Sequence, residues 1–584
     1  MIGAQAKSER QLQIPIRVKA MKHLMRCLIL MLTTGLAFAG SPKISKDLEG
    51  KKAGDTVDVI VQFKQVPTDK HEKKVKDRGG KHKAKLDVVK GGAYSLPVDA
   101  LEDLASDPDV AYISPDREVK GTLDFASATV GAEIARSYGW DGTGIGVAVI
   151  DSGVEKRDDL RVSGSDTSRV VYSQNFASDS TTSDKYGHGT HVAGIIGGNG
   201  KKSSGSGTTV TFRGIAVNAK IISLRVLGAQ GSGTDSMVIA AIQRAIELKS
   251  TYNIRVLNLS LGRPVHESYT LDPLCEAVES AWKAGIVVVV AAGNEGRNNS
   301  QGNNGYATIG SPGNDPYVIT VGAMKTMGSS SRTDDLIASY SSKGPTLLDH
   351  IVKPDLVAPG NRLISILADT ESQLATAYPT NQVPSSYYKP GSSGTPQYMK
   401  LSGTSMAAPM VSGAAALLLQ KTPSLTPDQV KARLMKTASK AFPTTSIATD
   451  PATGQLYTSQ YDIFTVGAGY LDVAAALNST DMASVKAVSP KAVYDPVTRQ
   501  TRLVHGDGLI WGDALIWGDA LVWGKGLIWG DALIWGDGLI WGDSMVWGNS
   551  TTQGFGLIWG DGLIWGDSTT VSGETTSIAI QGEN

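Results

Sequence analysis

Residues 121–478 predict an α/β fold, a parallel β-sheet covered by helices, and three observations predict it. Short apolar runs alternate with helical patterns: Ile145–Ile150, Ile221–Val226, Val256–Leu261, Ile286–Ala292 and Tyr317–Val321. Each run is rich in β-branched residues and bounded by Gly, Asp or Asn, the pattern of strands buried on both faces. The residues with chemical character lie just after such runs or at the start of helical patterns, and sites in sheets of this kind gather outside the carboxyl ends of the strands.

The elements before that region read differently. Met21–Gly40 (MKHLMRCLILMLTTGLAFAG) has a basic start, a 13-residue apolar run (Cys27–Ala39) and Ala37-Phe38-Ala39. That is the layout of a secretory signal, and translation beginning at Met21 would suit it. Thirteen helical residues rise about 20 Å, short of a bilayer core of about 30 Å. Residues 1–39 are therefore expected to be a signal, and the protein secreted or extracellular, with periplasmic or cell-surface placement left open. In 40–120, Val57–Phe63 alternates like a half-buried strand and the charged Lys70–Lys85 reads as a solvated helix or loop. Ala93–Leu96, a helical Pro97–Ala105 and a strand Val110–Ile113 complete a small α+β domain.

Behind the sheet region come a linker (479–504), a repeat (505–568) and a tail (569–584). In the repeat, Trp recurs at 511, 517, 523, 529, 535, 541 and 547, then at 559 and 565. The period of six survives the interruption at Gln553. Six is even, so in an extended chain Leu and Trp stay on one face, and Gly-Asp supplies turn chemistry. A β-solenoid is the expectation, with a loosely ordered, sticky tail as the alternative. Attachment to a surface or partner is the role that follows for it.

Composition narrows the function. Residues 121–584 carry 34 basic and 40 acidic residues, so nothing there offers a basic footprint to nucleic acid. The two cysteines are Cys27, inside the expected signal, and Cys275. No disulfide framework follows, and Cys275 reads as a buried small hydrophobe.

Four segments carry chemistry. Val147–Val154 (VAVIDSGV) is a buried strand ending in Asp151. Gly187–Gly194 (GHGTHVAG) is a glycine-flanked histidine, His188, opening a helix. Leu401–Pro409 (LSGTSMAAP) places Ser405 before the helical run Met406–Gln420, with Pro409 expected in its first turn. Val287–Gly296 (VVVVAAGNEG) ends in the amide of Asn294. A serine hydroxyl needs a base to take its proton. Histidine suits that task near neutral pH, and a carboxylate on its other nitrogen fixes the tautomer. An amide or a helix N-terminus stabilises an oxyanion.

Asp-Ser-Gly, His-Gly-Thr-His, Ala-Ala-Gly-Asn and Gly-Thr-Ser-Met-Ala-Ala-Pro, in that order, resemble the subtilisin-like serine peptidases. The resemblance spans about 121–477, and 41–120 looks like the family's inhibitory propeptide, cut near Lys120–Gly121. It implies Asp151 as orienting acid, His188 as base, Ser405 as nucleophile and Asn294 as oxyanion donor. His191, Ser152 and Thr404 are expected to be structural. Gly231-Ser232-Gly233 and Ser260-Leu261-Gly262 resemble the segments that clamp a peptide as an added strand. Ala292, Gly293 and Gly310 match small residues of the specificity pocket, implying a large apolar or aromatic side chain, while Glu295 at its rim would favour a basic one. The chemistry requires no cofactor and no metal. Asp159 resembles one ligand of a structural calcium site, but Gly197–Val210 replaces the loop that would complete it. Polypeptide substrates and the chain's own propeptide are the expected partners, with no transmembrane segment.

Two other functions compete with this one. A sedolisin-type acid peptidase would want Glu as base and Asp at the oxyanion site, where this chain has His188 and Asn294. A non-catalytic adhesion protein would act through the repeat and have no need of an intact triad.

Overall fold

The computed structural model describes residues 41–504 apart from 42, 46–47, 49–50, 53, 87–89, 116–122, 301, 451–453, 485 and 496–499. Beyond 504 it describes 516–517, 534–535, 570–572 and 582–583. The expected signal (1–39), the cleavage point near Lys120 and most of the repeat lie outside the described residues. The chain divides into two units between Val119 and Lys120.

In the first unit, alternation in β1 (Thr56–Phe63) points Val59, Val61 and Phe63 inward. After it come α1 (Asp69–Lys76), β2 (Lys81–Leu86), β3 (Gly91–Pro97), α2 (Leu101–Ser106) and β4 (Val110–Pro115). The sheet is antiparallel, in the order β2-β3-β1-β4. Val75, Leu96, Leu104 and Ile113 close a core against β1. The charged stretch expected as one solvated helix or loop divides into α1 and β2. β2 is an edge strand whose side chains are almost all exposed. Lysines along such an edge discourage further strand addition.

The second unit is built on an eight-stranded sheet. Its strands are β5 (Gly146–Asp151), β6 (Val170–Asn175), β7 (Lys220–Arg225), β9 (Ile254–Leu259), β10 (Val287–Ala291), β11 (Ile319–Lys325), β12 (Leu336–Ile337) and β13 (Leu356–Pro359). β8 (Ser232–Thr234) lies apart from it. The order is β12-β11-β10-β9-β5-β7-β6, with β13 also beside β11. Every pairing is parallel except β11 with β12. The helices of this unit include α3 (His188–Gly197), α4 (Asp235–Glu247) and α5 (Pro273–Lys283). Another, α6 (Thr404–Lys421), is apolar nearly all round and buried from Thr404 to Leu419. It lies across β9, β10 and β11 and against α3.

Pro409 corrects the sequence reading. α6 begins at Thr404, so Pro409 sits in the second turn and not the first. A proline there offers no N–H to the carbonyl four residues back, that of Ser405. Ser260 Oγ donates to that carbonyl instead, at 2.8 Å.

The stretch 479–504, read as a linker, packs in part on the sheet unit. Ser489 Oγ donates to Asp355 Oδ1 (2.5 Å), and Lys431 Nζ donates to Ser489 Oγ (2.8 Å). Lys491–Asp495 pairs antiparallel with Gln500–Val504. Inside the repeat, Ile516–Trp517 pairs in parallel with Ile534–Trp535, 18 positions or three periods further on.

Candidate active site

β5 ends on Asp151, which is fully buried. Gly187, at φ +100, turns the chain into α3 and sets His188 at its start. His188 Nδ1 lies 2.8 Å from Asp151 Oδ1, and the Ser152 backbone N–H donates to the same oxygen at 2.7 Å. Only a glycine fits at position 189, because a Cβ there would fall 2.2 Å from the Gly153 carbonyl oxygen and 3.1 Å from Asp151 Cβ. The missing side chain is what lets helix and strand end approach.

A second buried acid holds this corner together. Asp184 accepts from Ser152 Oγ (2.7 Å), from Gly187 N–H (2.7 Å) and from Thr190 N–H (2.8 Å). Ser152 Oγ in turn accepts from Gly189 N–H at 2.9 Å. Burial pushes the Asp184 carboxyl above its usual range despite these donors. Sequence reasoning passed over Asp184. Its one signal is an acid four residues ahead of His188. Ser152, expected to be structural, belongs to this network.

His191 lies one turn further along α3. Its Nε2 is 3.1 Å from the carbonyl oxygens of both Leu363 and Met399. Burial, then electrostatic repulsion from the neighbouring His188, pulls its pKa down to about 3, so the ring is neutral and donates from Nε2.

Ser405 is in the first turn of α6 and 2% exposed. Its hydroxyl donates to the Ser260 carbonyl at 3.2 Å, so Ser260 and Ser405 contact each other in both directions. Asn294, just past β10, is oriented by the residue before the serine. The backbone N–H and hydroxyl of Thr404 both donate to Asn294 Oδ1, at 2.9 and 3.1 Å. With its carbonyl held this way, the amide keeps its Nδ2 donor free of any acceptor among the described residues. A helix N-terminus and a fixed amide donor are thus side by side at Ser405, an arrangement that can stabilise developing negative charge.

The expected substrate residues fall into two groups. β8 holds Ser232 and Gly233, preceded by Gly231 at φ +72; a Cβ on Gly231 would strike the Tyr186 ring at 2.4 Å. Ser260, Leu261 and Gly262 follow β9 directly, next to Ser405. The Leu261 side chain is buried in the core, so only its backbone is available there. Ala292 is fully buried, Gly293 takes φ +110, and Gly310 donates from its N–H to the Ala292 carbonyl at 3.1 Å. A Cβ on Gly310 would come within 2.9 Å of the Arg263 carbonyl oxygen.

Asp159 is occupied by the protein itself. It accepts from Tyr398 Oη (2.5 Å) and from Lys202 N–H (2.8 Å). Among the described residues no cluster of three or more His, Cys, Asp or Glu side chains is placed to hold a metal ion. Cys275 is buried, with its thiol pushed far up by burial.

Residues 142–462 match the subtilase family of peptidases S8. Serine protease AprX of Bacillus subtilis (strain 168) is 37% identical over 367 residues, 61% of this chain and 76% of that protein. Subtilisin E of the same organism is 34% identical over 387 residues, covering 65% and 84%. A solved structure of a cold adapted subtilisin-like serine proteinase shares 31% identity, covering 51% of this chain and 84% of that one, with a TM-score of 0.36. The family match runs through β5, α3, β10 and α6 and takes in more than half of the residues. The chain therefore belongs to the subtilase family of subtilisin-like serine peptidases.

Proposed function

We propose that the protein is a secreted endopeptidase that works through Asp151, His188, Ser405 and Asn294 and is made as a self-processing zymogen. The observation that carries the reading is the buried 2.8 Å contact between Asp151 and His188 Nδ1, on a helix packed against the one that holds Ser405 in its first turn. With Nδ1–H held by the carboxylate, Nε2 is the basic nitrogen. It takes the proton from Ser405 as Oγ attacks the peptide carbonyl, then gives it to the leaving amine. Water hydrolyses the acyl-enzyme by the same path in reverse. Asn294 Nδ2 and the N-terminal end of α6 bind the oxyanion.

Substrate enters as a strand between Gly231–Gly233 and Ser260–Gly262, and its side chain sits against Ala292, Gly293 and Gly310. The first unit folds about its own core, which supports its reading as a propeptide that assists folding and then blocks the cleft. The chemistry needs no cofactor. Attachment through the tryptophan repeat remains the role proposed for that segment.

The test is to treat the secreted product with a fluorophosphonate probe beside Ser405→Ala, following intact mass. Wild type is expected to label and to lose about residues 21–120, whereas the variant stays unlabelled and keeps its propeptide. A folded, processed wild type that takes no label would overturn the peptidase reading. An activity maximum at neutral rather than acidic pH separates this histidine chemistry from that of an acid peptidase.

A further inference from the structure

Glu583, one residue from the end of the chain, is buried in the sheet unit at 3% exposure. Its carboxylate meets Arg297 Nη2 at 2.6 Å and Lys325 Nζ at 3.3 Å. The Ser339 backbone N–H donates to it at 2.7 Å and the Ser339 hydroxyl at 2.5 Å. Arg297 is braced apart from this contact, by Asp450 at 3.1 Å and by the Tyr457 ring, 4.5 Å from its guanidinium carbon. Burying a carboxylate costs several kcal/mol unless charge and donors meet it, and here both do.

The main chain is recognised as well. Asn361 donates from Nδ2 to the Glu583 carbonyl (2.8 Å) and accepts from the Glu583 N–H at Oδ1 (3.0 Å). Gly582 takes φ +77, and a Cβ on it would fall 2.4 Å from Ser402 Oγ and 2.8 Å from Asn361 Oδ1. The site therefore selects a Gly-Glu pair by charge, by backbone and by the absence of a side chain. It touches Ser402, three residues before Ser405.

Thirteen residues upstream of Glu583, the same tail meets the domain again. Thr570–Ser572 pairs antiparallel with β8, with Val571 opposite Gly233.

We propose that the sheet unit carries a carboxylate-binding pocket for the chain's own Gly582-Glu583, and that this anchor lays Thr570–Ser572 along β8 as a competitor of substrate. The competition rests on the reading of β8 as a substrate edge; the pocket does not. A peptide added to β8 needs the same backbone groups that the tail strand uses, so the two exclude each other. Tethering raises the local concentration of the tail over any free peptide.

The test uses full-length, processed protein. In Glu583→Gln the internal tail is disengaged. After its active serine is blocked with phenylmethylsulfonyl fluoride, it is titrated with a fluorescent peptide of residues 569–584. The native peptide is expected to bind, and the peptide carrying E583Q to bind roughly ten- to a hundredfold more weakly, as for a lost hydrogen bond to a buried charge. Equal binding of the two peptides, or no binding of either, overturns the pocket. Gly582→Ala, which leaves the charge in place, should bind weakly too.

In the activity arm, full-length Glu583→Gln should show a several-fold lower KM than wild type for a peptide long enough to reach β8. Its kcat should be unchanged, and hydrolysis of a small activated ester should be the same in both. An unchanged KM for the long peptide overturns the competition. An inert enzyme counts against the peptidase reading alone, because the binding titration needs neither processing nor turnover and, run on the unprocessed chain, still decides the pocket.

Discussion

Thr404 is the residue on which the orientation of Asn294 depends. It spends its N–H and its hydroxyl on one oxygen, and its Oγ1 also accepts from the Gly293 N–H at 3.1 Å. Removing the hydroxyl with Thr404→Val should let the amide turn and lower kcat about tenfold with little change in KM, as for a donor displaced and not deleted. Asn294→Leu deletes the donor and should lower kcat by about 10²–10³, the subtilisin value for such a loss. Steady-state kinetics on a peptide substrate separates the two. At this scale the sequence singles out Asp151, His188, Asn294 and Ser405 as candidates because each stands in a short, distinctive motif. Asp184 was not legible: its partners are two backbone N–H groups, which have no spelling in the sequence, and the hydroxyl of Ser152, 32 positions away. Pro409 was misplaced by a turn because the residue that satisfies the carbonyl it exposes lies 145 positions from Ser405.

Among the elements, α3 is fastened to its surroundings by a neutral ring. His191 joins Leu363 on one strand to Met399 on its antiparallel neighbour (Leu363–Ile366 and Tyr398–Leu401). Its folded pKa, about 3, lies below the unfolded value of about 6.5. The unfolded chain therefore binds the extra proton first, and stability falls as pH drops from about 6.5 towards 3. The contribution is about 1.4 kcal/mol per pH unit. Urea unfolding at pH 7 and pH 5 should show that slope, and His191→Gln should flatten it by about that amount; equal slopes would refute the assignment. Four apolar runs read from the sequence coincide with β5, β7, β9 and β10, and the fifth overlaps the start of β11. The reading omitted β6, whose side chains are mostly half-exposed, and β13, which has only four residues. β2 was hidden for a related reason: its lysines and exposure look like a solvated surface, which on an edge strand they are.

For the molecule as a whole, Asp355 ties distant parts of the second unit together. This buried carboxylate meets Lys353 Nζ at 2.7 Å and Lys431 Nζ at 3.1 Å and accepts from Ser489 Oγ. Burial opposes its ionisation, but the two lysines outweigh burial and hold the carboxyl below its usual range. Asp355→Asn removes the buried counter-ion of Lys353 and of Lys431, whose pKa burial already pulls down to about 7, and should cost about 3–5 kcal/mol. A large drop in thermal midpoint would register it, and an unchanged midpoint would count against this role. The packing of Ser489 was not legible, because a stretch short of apolar periodicity reads as a linker however well its hydroxyls are placed.

The reciprocal contact between Ser260 and Ser405 also bears on alignment. A proline in the second turn of α6 hands the serine's carbonyl to the segment proposed to grip the substrate backbone, and the serine's hydroxyl leans on that same segment. The two serines are thus coupled at two points. If Ser260–Gly262 grips a peptide as proposed, any shift of that segment is passed to the Ser405 carbonyl and hydroxyl together.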